Sequence, residues 1–132
     1  MDLEIIKIAE KANNSKYIKN HTHCSKLKNP LCGDEIQIKL IIKKNKIINF
    51  SFEGESCIYC QASASLLSKI SLNKQILKLN ELCDDAESFF EGNEKVIKKK
   101  WDVLCKLFKN KNLARKECIV LPFKTLKNII SN

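Results

Sequence analysis

The chain has 132 residues, 44% of them apolar and 30% charged, which are ordinary globular proportions. One domain over residues 1–132 with a buried core is expected, and whole-chain disorder is excluded. The net charge of +9 comes from 24 basic residues of which only Arg115 is Arg; the lysines are spread along the chain, so they read as a solvated face with no nucleic-acid partner.

No apolar run approaches the ~20 residues needed to cross a bilayer, so no membrane contact is expected. The opening MDLEIIKIAE places acids where a secretory signal carries an apolar core, so a cytoplasmic chain is expected. Residues 2–12 put Leu3, Ile5, Ile6, Ile8 and Ala9 near helical spacing, a short amphipathic helix. Residues 13–31 are polar and read as irregular, with Pro30 forbidding a regular helix. Ile36, Ile38, Leu40 and Ile42 then alternate along a strand. Lys44-Asn45 makes a tight turn, and Ile47, Ile48, Phe50 and Phe52 return as a second strand ending at Gly54.

From Cys57 the period becomes helical, with Ser56 as the expected N-cap and Ala62, Ala64, Leu66, Leu67 and Ile70 along the helix. A second helix is expected over Ile76–Phe90, stopped by Gly92, and a third over Val96–Phe108 carrying Trp101, Leu104, Cys105 and Phe108. Pro122 is expected to precede a last helix with Phe123, Leu126, Ile129 and Ile130. The fold class is therefore α+β: a small antiparallel sheet, its hairpin at about 35–53, with helices packed on one face.

Seven cysteines are many for this length: Cys24, Cys32, Cys57, Cys60, Cys83, Cys105 and Cys118. In a reducing compartment they point to metal ligands, reactive thiols or small buried residues rather than disulfides. In Asn29–Asp34 (NPLCGD) a Pro and a Gly shape a loop, and Asp34 follows Cys32 by two. In Gly54–Cys57 (GESC) the cysteine falls at a helix start, where the dipole favours its thiolate. Cys60 lies one turn further on, but the Cys-x-x-Cys follows an antiparallel hairpin, unlike a thioredoxin site, and lacks the second knuckle of a zinc ribbon. Cys118 stands among basic residues in RKECIVLPF, which also favours a thiolate. Cys32, Asp34, Cys57 and Cys118 together supply three thiolates and one carboxylate. That is a full tetrahedral set for Zn²⁺, or a site for an iron–sulfur cluster. His21, His23 and Cys24 read as a polar loop, while Cys83, Cys105 and Trp101 read as core.

Three motifs carry a resemblance: Asn29–Asp34 (NPLCGD), Gly54–Leu67 (GESCIYCQASASLL) and Arg115–Leu126 (RKECIVLPFKTL). In order and spacing they resemble the U-type iron–sulfur assembly family, the NifU N-terminal-like proteins that include IscU and SufU. Cys32, Cys57 and Cys118 match the family's three cysteines, and Asp34 its aspartate. An extra segment at about 84–100 resembles the SufU branch. IscU-type proteins carry a His immediately before the last cysteine, where this chain has Glu117. Cys60 is not a position that the family relies on.

The resemblance implies a SufE/NifU-like fold and a scaffold role. The three thiolates would bind iron and take sulfur from a cysteine desulfurase of the SufS/IscS type. They would build a transient [2Fe-2S] cluster and pass it to apo iron–sulfur proteins or carriers. It also implies a second mode, a SufU-like sulfurtransferase with Zn²⁺ on Asp34 and the three cysteines. Cys32 is the expected persulfide acceptor in that mode and Cys118 in the scaffold mode. A reading of another class is a structural zinc module that only binds partners.

Overall fold

The structure, a computed structural model, describes residues 3–10 and 18–131. The elements run α1 (Leu3–Glu10), β1 (His23–Lys28), β2 (Glu35–Lys43), β3 (Lys46–Glu53), α2 (Ile58–Ser71), α3 (Ile76–Phe89), α4 (Glu94–Lys100) and α5 (Lys116–Ile130). Two 3₁₀ segments, Asp102–Lys106 and Asn110–Arg115, join α4 to α5. The three strands form one antiparallel sheet in the order β1-β2-β3.

The β2–β3 hairpin matches its pattern. Lys44 and Asn45 both have positive φ, 53° and 62°, as a two-residue turn matching the strand twist requires. Ile36, Ile38 and Leu40 on β2 and Ile47 on β3 face the helices and are fully or almost fully buried. The register shifts between Ile41 and Ile42, a bulge beside the turn.

Strand β1 corrects the expectation of an irregular segment over 13–31. It pairs His23 with Leu40 through Lys28 with Glu35. Its sequence HCSKLK hides the alternation, because Ser25 and Leu27 are its two inward positions and only one is strongly apolar. It is an edge strand bearing Lys26 and Lys28, charges that discourage further pairing. His23 and Cys24 lie exposed on it, so their expected loop is a strand, and the exposed His21 lies just before it. The rest of the expected segment, residues 13–17, lies outside the described residues.

The helices cover one sheet face. Small residues let them approach closely: Ala62, Ser63, Ala64 and Ser65 on α2 are all buried. Ser63 Oγ donates to the Ile119 carbonyl at 2.5 Å and ties α2 to α5. Ring contacts between Phe108 and Phe123 (5.4 Å, edge-to-face) and between Phe89 and Phe108 (5.5 Å) join α3 and α5 to the connecting segment. Trp101 anchors that segment by donating from Nε1 to Asp85 Oδ2 at 2.9 Å.

Three boundaries differ from the sequence reading. The expected helix over Val96–Phe108 breaks at Trp101 (φ −133°, ψ 53°) and continues as 3₁₀ turns. The buried residues Trp101, Leu104 and Leu107 recur every three positions, a spacing that a 3₁₀ turn satisfies as well as an α-helix. Cys105, off that spacing, is half-buried and packs against the core. The last helix starts at Lys116, so Pro122 lies inside it and has no N–H to offer the Cys118 carbonyl. Cys57, not Ser56, occupies the N-cap of α2. No helix among the described residues is long and apolar enough to cross a membrane.

Candidate metal centre

Three segments converge at one end of the sheet. The first is the loop 29–34 that leads into β2. Gly33 N–H donates to the Asn29 carbonyl at 2.8 Å, a turn that Gly33 permits with φ +78°. Asn29 N–H donates to the Asp34 carbonyl at 2.8 Å. The buried Asn29 side chain accepts from Leu31 N–H at 2.8 Å and donates from Nδ2 to Glu117 Oε2 at 3.1 Å. The loop is thus braced against the first turn of α5, while Cys32 stays exposed at its tip.

The second segment follows β3. Glu35 N–H donates to the Glu55 carbonyl at 2.9 Å and stitches this segment to the start of β2. Gly54 is required here. A Cβ would lie 2.2 Å from the Glu35 carbonyl oxygen, and its φ of +146° suits only glycine. The chain then delivers Cys57 to the start of α2. The third segment is the first turn of α5, which carries Cys118 inward, 4% exposed.

Cys32 Sγ, an Asp34 carboxylate oxygen and Cys118 Sγ lie within 4.8 Å of one another. Cys57 is not one of that trio; its tie to the centre is through its backbone. The Cys57 backbone N–H donates to Asp34 Oδ1 at 3.0 Å. Asp34 Oδ2 is buried with no hydrogen-bond partner among the described residues. A buried carboxylate oxygen with no hydrogen-bond partner is costly unless a cation completes it. The donor set therefore fits a metal: the two sulfurs of Cys32 and Cys118 and one Asp34 oxygen, of soft-to-borderline character, suit zinc or iron.

The thiols do not supply the missing charge. Burial pushes Cys57 up from its ordinary range, and Asp34 adds to this against the lowering effect of the Cys60 backbone N–H. Burial likewise pushes Cys118 up, reinforced by Cys57. Both shifts oppose the sequence expectation of stabilised thiolates. For Cys57, desolvation and the neighbouring carboxylate outweigh the helix start. Arg115, the nearby arginine in sequence, stacks over the Tyr59 ring at 5.3 Å. A bound cation would reverse the balance and hold the thiolates deprotonated.

Sequence reasoning missed the Asn29–Glu117 brace. Its one visible signal was an Asn before Pro, a pattern that favours a side-chain-capped turn. Cys60 is fully buried beside the centre, and Cys83 is fully buried in the core.

Residues 4–100 match the NifU-like N-terminal domain. The chain belongs to that family. The iron–sulfur cluster assembly scaffold protein IscU of Thermotoga maritima is 32% identical, over 93% of this chain and 89% of its own length, which includes the Cys118 region. Among solved structures, the chain assigned as the SUF-system iron–sulfur cluster assembly scaffold of Fervidobacterium islandicum AW-1 has a TM-score of 0.87 at 24% identity, covering 98% of this chain and 96% of its own. The N-terminal NifU-like protein of Brucella abortus has a TM-score of 0.79 at 16% identity, over 98% and 91%. Both likenesses are of fold, and both agree with the expected α+β, NifU-like architecture.

Proposed function

We propose that this chain is an iron–sulfur cluster assembly scaffold, and that Cys32, Asp34, Cys57 and Cys118 hold the iron and the growing cluster. The observation that carries the reading is the Asp34 carboxylate, grouped with the sulfurs of Cys32 and Cys118 and with its buried Oδ2 unpartnered, in a chain whose relatives include IscU. One buried core runs from Ile5 to Ile129, which supports reading residues 1–132 as one domain.

The division of labour follows from exposure. Cys32 sits at an exposed tip, where a thiol of a docked cysteine desulfurase can reach it. Cys118 is buried beside it and receives sulfur only inside the centre. Asp34 is the one hard oxygen donor among soft sulfurs, so it is the ligand that leaves first when cluster passes to an apo iron–sulfur protein or carrier. The test is reconstitution without oxygen from ferrous iron, cysteine and a desulfurase. Iron and sulfide retained in equal amounts, and lost in a Cys32→Ser variant, support the scaffold.

A second reading has its own observation. Glu117 is held by Asn29, so the candidate ligands are the three cysteines and Asp34. Such a set would hold Zn²⁺, whose charge would keep the thiolates deprotonated for sulfur transfer. In that mode Cys32 takes the persulfide sulfur and passes it on. Zinc without sulfide in the isolated chain, with stimulation of a desulfurase, distinguishes it from the scaffold.

A further inference from the structure

Cys60 is a nucleophile that the proposed ligand set leaves unused. It lies three residues after Cys57, one turn into α2, and is completely buried. Cys57 occupies the N-cap in an extended conformation (φ −72°, ψ 169°). An N-cap side chain and the residue three positions on share one side of the helix. Such neighbours have Cβ atoms about 5–6 Å apart, so a small shift at the helix start brings them to the roughly 4 Å of a disulfide. Cys60 is thus buried on the side of α2 that carries Cys57, whose backbone N–H is bound to Asp34.

Sulfur delivered as a persulfide is at the oxidation level of elemental sulfur, whereas cluster sulfide is two electrons more reduced. A thiol placed behind the acceptor can supply those electrons. We propose that Cys60 is the resolving thiol of this centre, reducing persulfide sulfur carried on Cys57 to sulfide; the inference rests on the assembly function proposed above.

The steps balance. Cys57 is held by its N–H to the Asp34 carboxylate, which lies within 4.8 Å of Cys118 Sγ, so a persulfide on Cys118 passes its outer sulfur to Cys57 by one exchange, leaving Cys118 as the thiol. Cys60 Sγ then attacks Cys57 Sγ. The bond from Cys57 Sγ to the outer sulfur breaks, and a Cys57–Cys60 disulfide forms. The outer sulfur leaves with the Cys60 proton as hydrogen sulfide, next to the metal ligands. The two cysteine sulfurs have together given up two electrons. An external dithiol reductant of the thioredoxin class reopens the pair for the next turn.

The test uses the full chain, purified without oxygen and held in a chelator. It is charged with inorganic tetrasulfide, desalted, and followed for sulfide release and by peptide mapping. The expected result is about one sulfide per chain together with a Cys57–Cys60 disulfide, and release slowed about tenfold or more in both Cys60→Ser and Cys60→Ala, which stay persulfidated and folded. Undiminished release from both variants overturns the proposal, as does a disulfide that joins Cys57 to Cys118 or Cys32 instead. A parallel charging with a desulfurase and cysteine separates the two claims. If tetrasulfide gives the disulfide and the desulfurase fails to charge the chain, the resolving thiol stands and the assembly function falls.

Discussion

The Cys57 backbone N–H donates to Asp34 Oδ1 at 3.0 Å, so one carboxylate anchors the start of α2 and also faces the thiols of Cys32 and Cys118. The bond leaves Oδ2 for the centre. It also fixes where the Cys57 thiol sits relative to the loop that carries Cys32.

Asp34→Ala separates these two roles. Losing the acceptor of the Cys57 N–H costs about 1 kcal/mol of stability, read by thermal unfolding. Losing the most labile ligand slows the hand-off of cluster to an acceptor protein, while bound iron remains. Transfer faster than in the unmodified chain would contradict the labile-ligand role.

The cysteines sort by position. Cys32→Ser, Cys57→Ser and Cys118→Ser each strip most of the metal, measured by elemental analysis. Cys83→Ser retains it, although a hydroxyl in that fully buried site costs about 1–3 kcal/mol. Full metal retention in the first three would refute the ligand assignment.

Asn29→Ala removes the brace to Glu117 and the acceptor for Leu31 N–H. Stability falls by about 1–2 kcal/mol. The freed loop makes Cys32 react faster with iodoacetamide, while Cys83 alkylation is unchanged. An unchanged Cys32 rate would show that the brace does not hold the loop.

The metal-free chain loses stability as pH rises. Burial pushes Cys60 and Cys83 up to about 12 from an ordinary 9.0. Between these values the unfolded chain has released protons that the folded chain still holds. The folded state is therefore favoured below 9.0, and that advantage is lost on going up through about 12. Each thiol contributes a slope of about 1.4 kcal/mol per pH unit. Urea unfolding across this window gives the slope, and Cys83→Ala should flatten it. An identical slope in the variant would contradict the assignment.

The hairpin and the grouping of Cys32, Asp34 and Cys118 were legible because each leaves a local mark. Alternating isoleucines flank a two-residue turn, and Cys32, Cys57 and Cys118 each sit in a motif of their own. Strand β1 was not legible because an edge strand needs little apolar surface, and HCSKLK supplies one leucine. Pro122 misplaced the start of α5, since proline usually marks a first turn and here it lies in the interior. The pKa shifts of Cys57 and Cys118 were unreadable because burial, not neighbours in sequence, sets their sign.

The central claim is tested most directly by the iron and acid-labile sulfide content of the full chain, reconstituted without oxygen with ferrous iron, cysteine and a desulfurase, then desalted. The account predicts iron and sulfide in equal amounts, with Cys32, Cys57 and Cys118 protected from alkylation. A chain that emerges with neither iron nor sulfide, and with all seven thiols of the sequence titrating freely once denatured and those three reacting at once in the folded state, would contradict it.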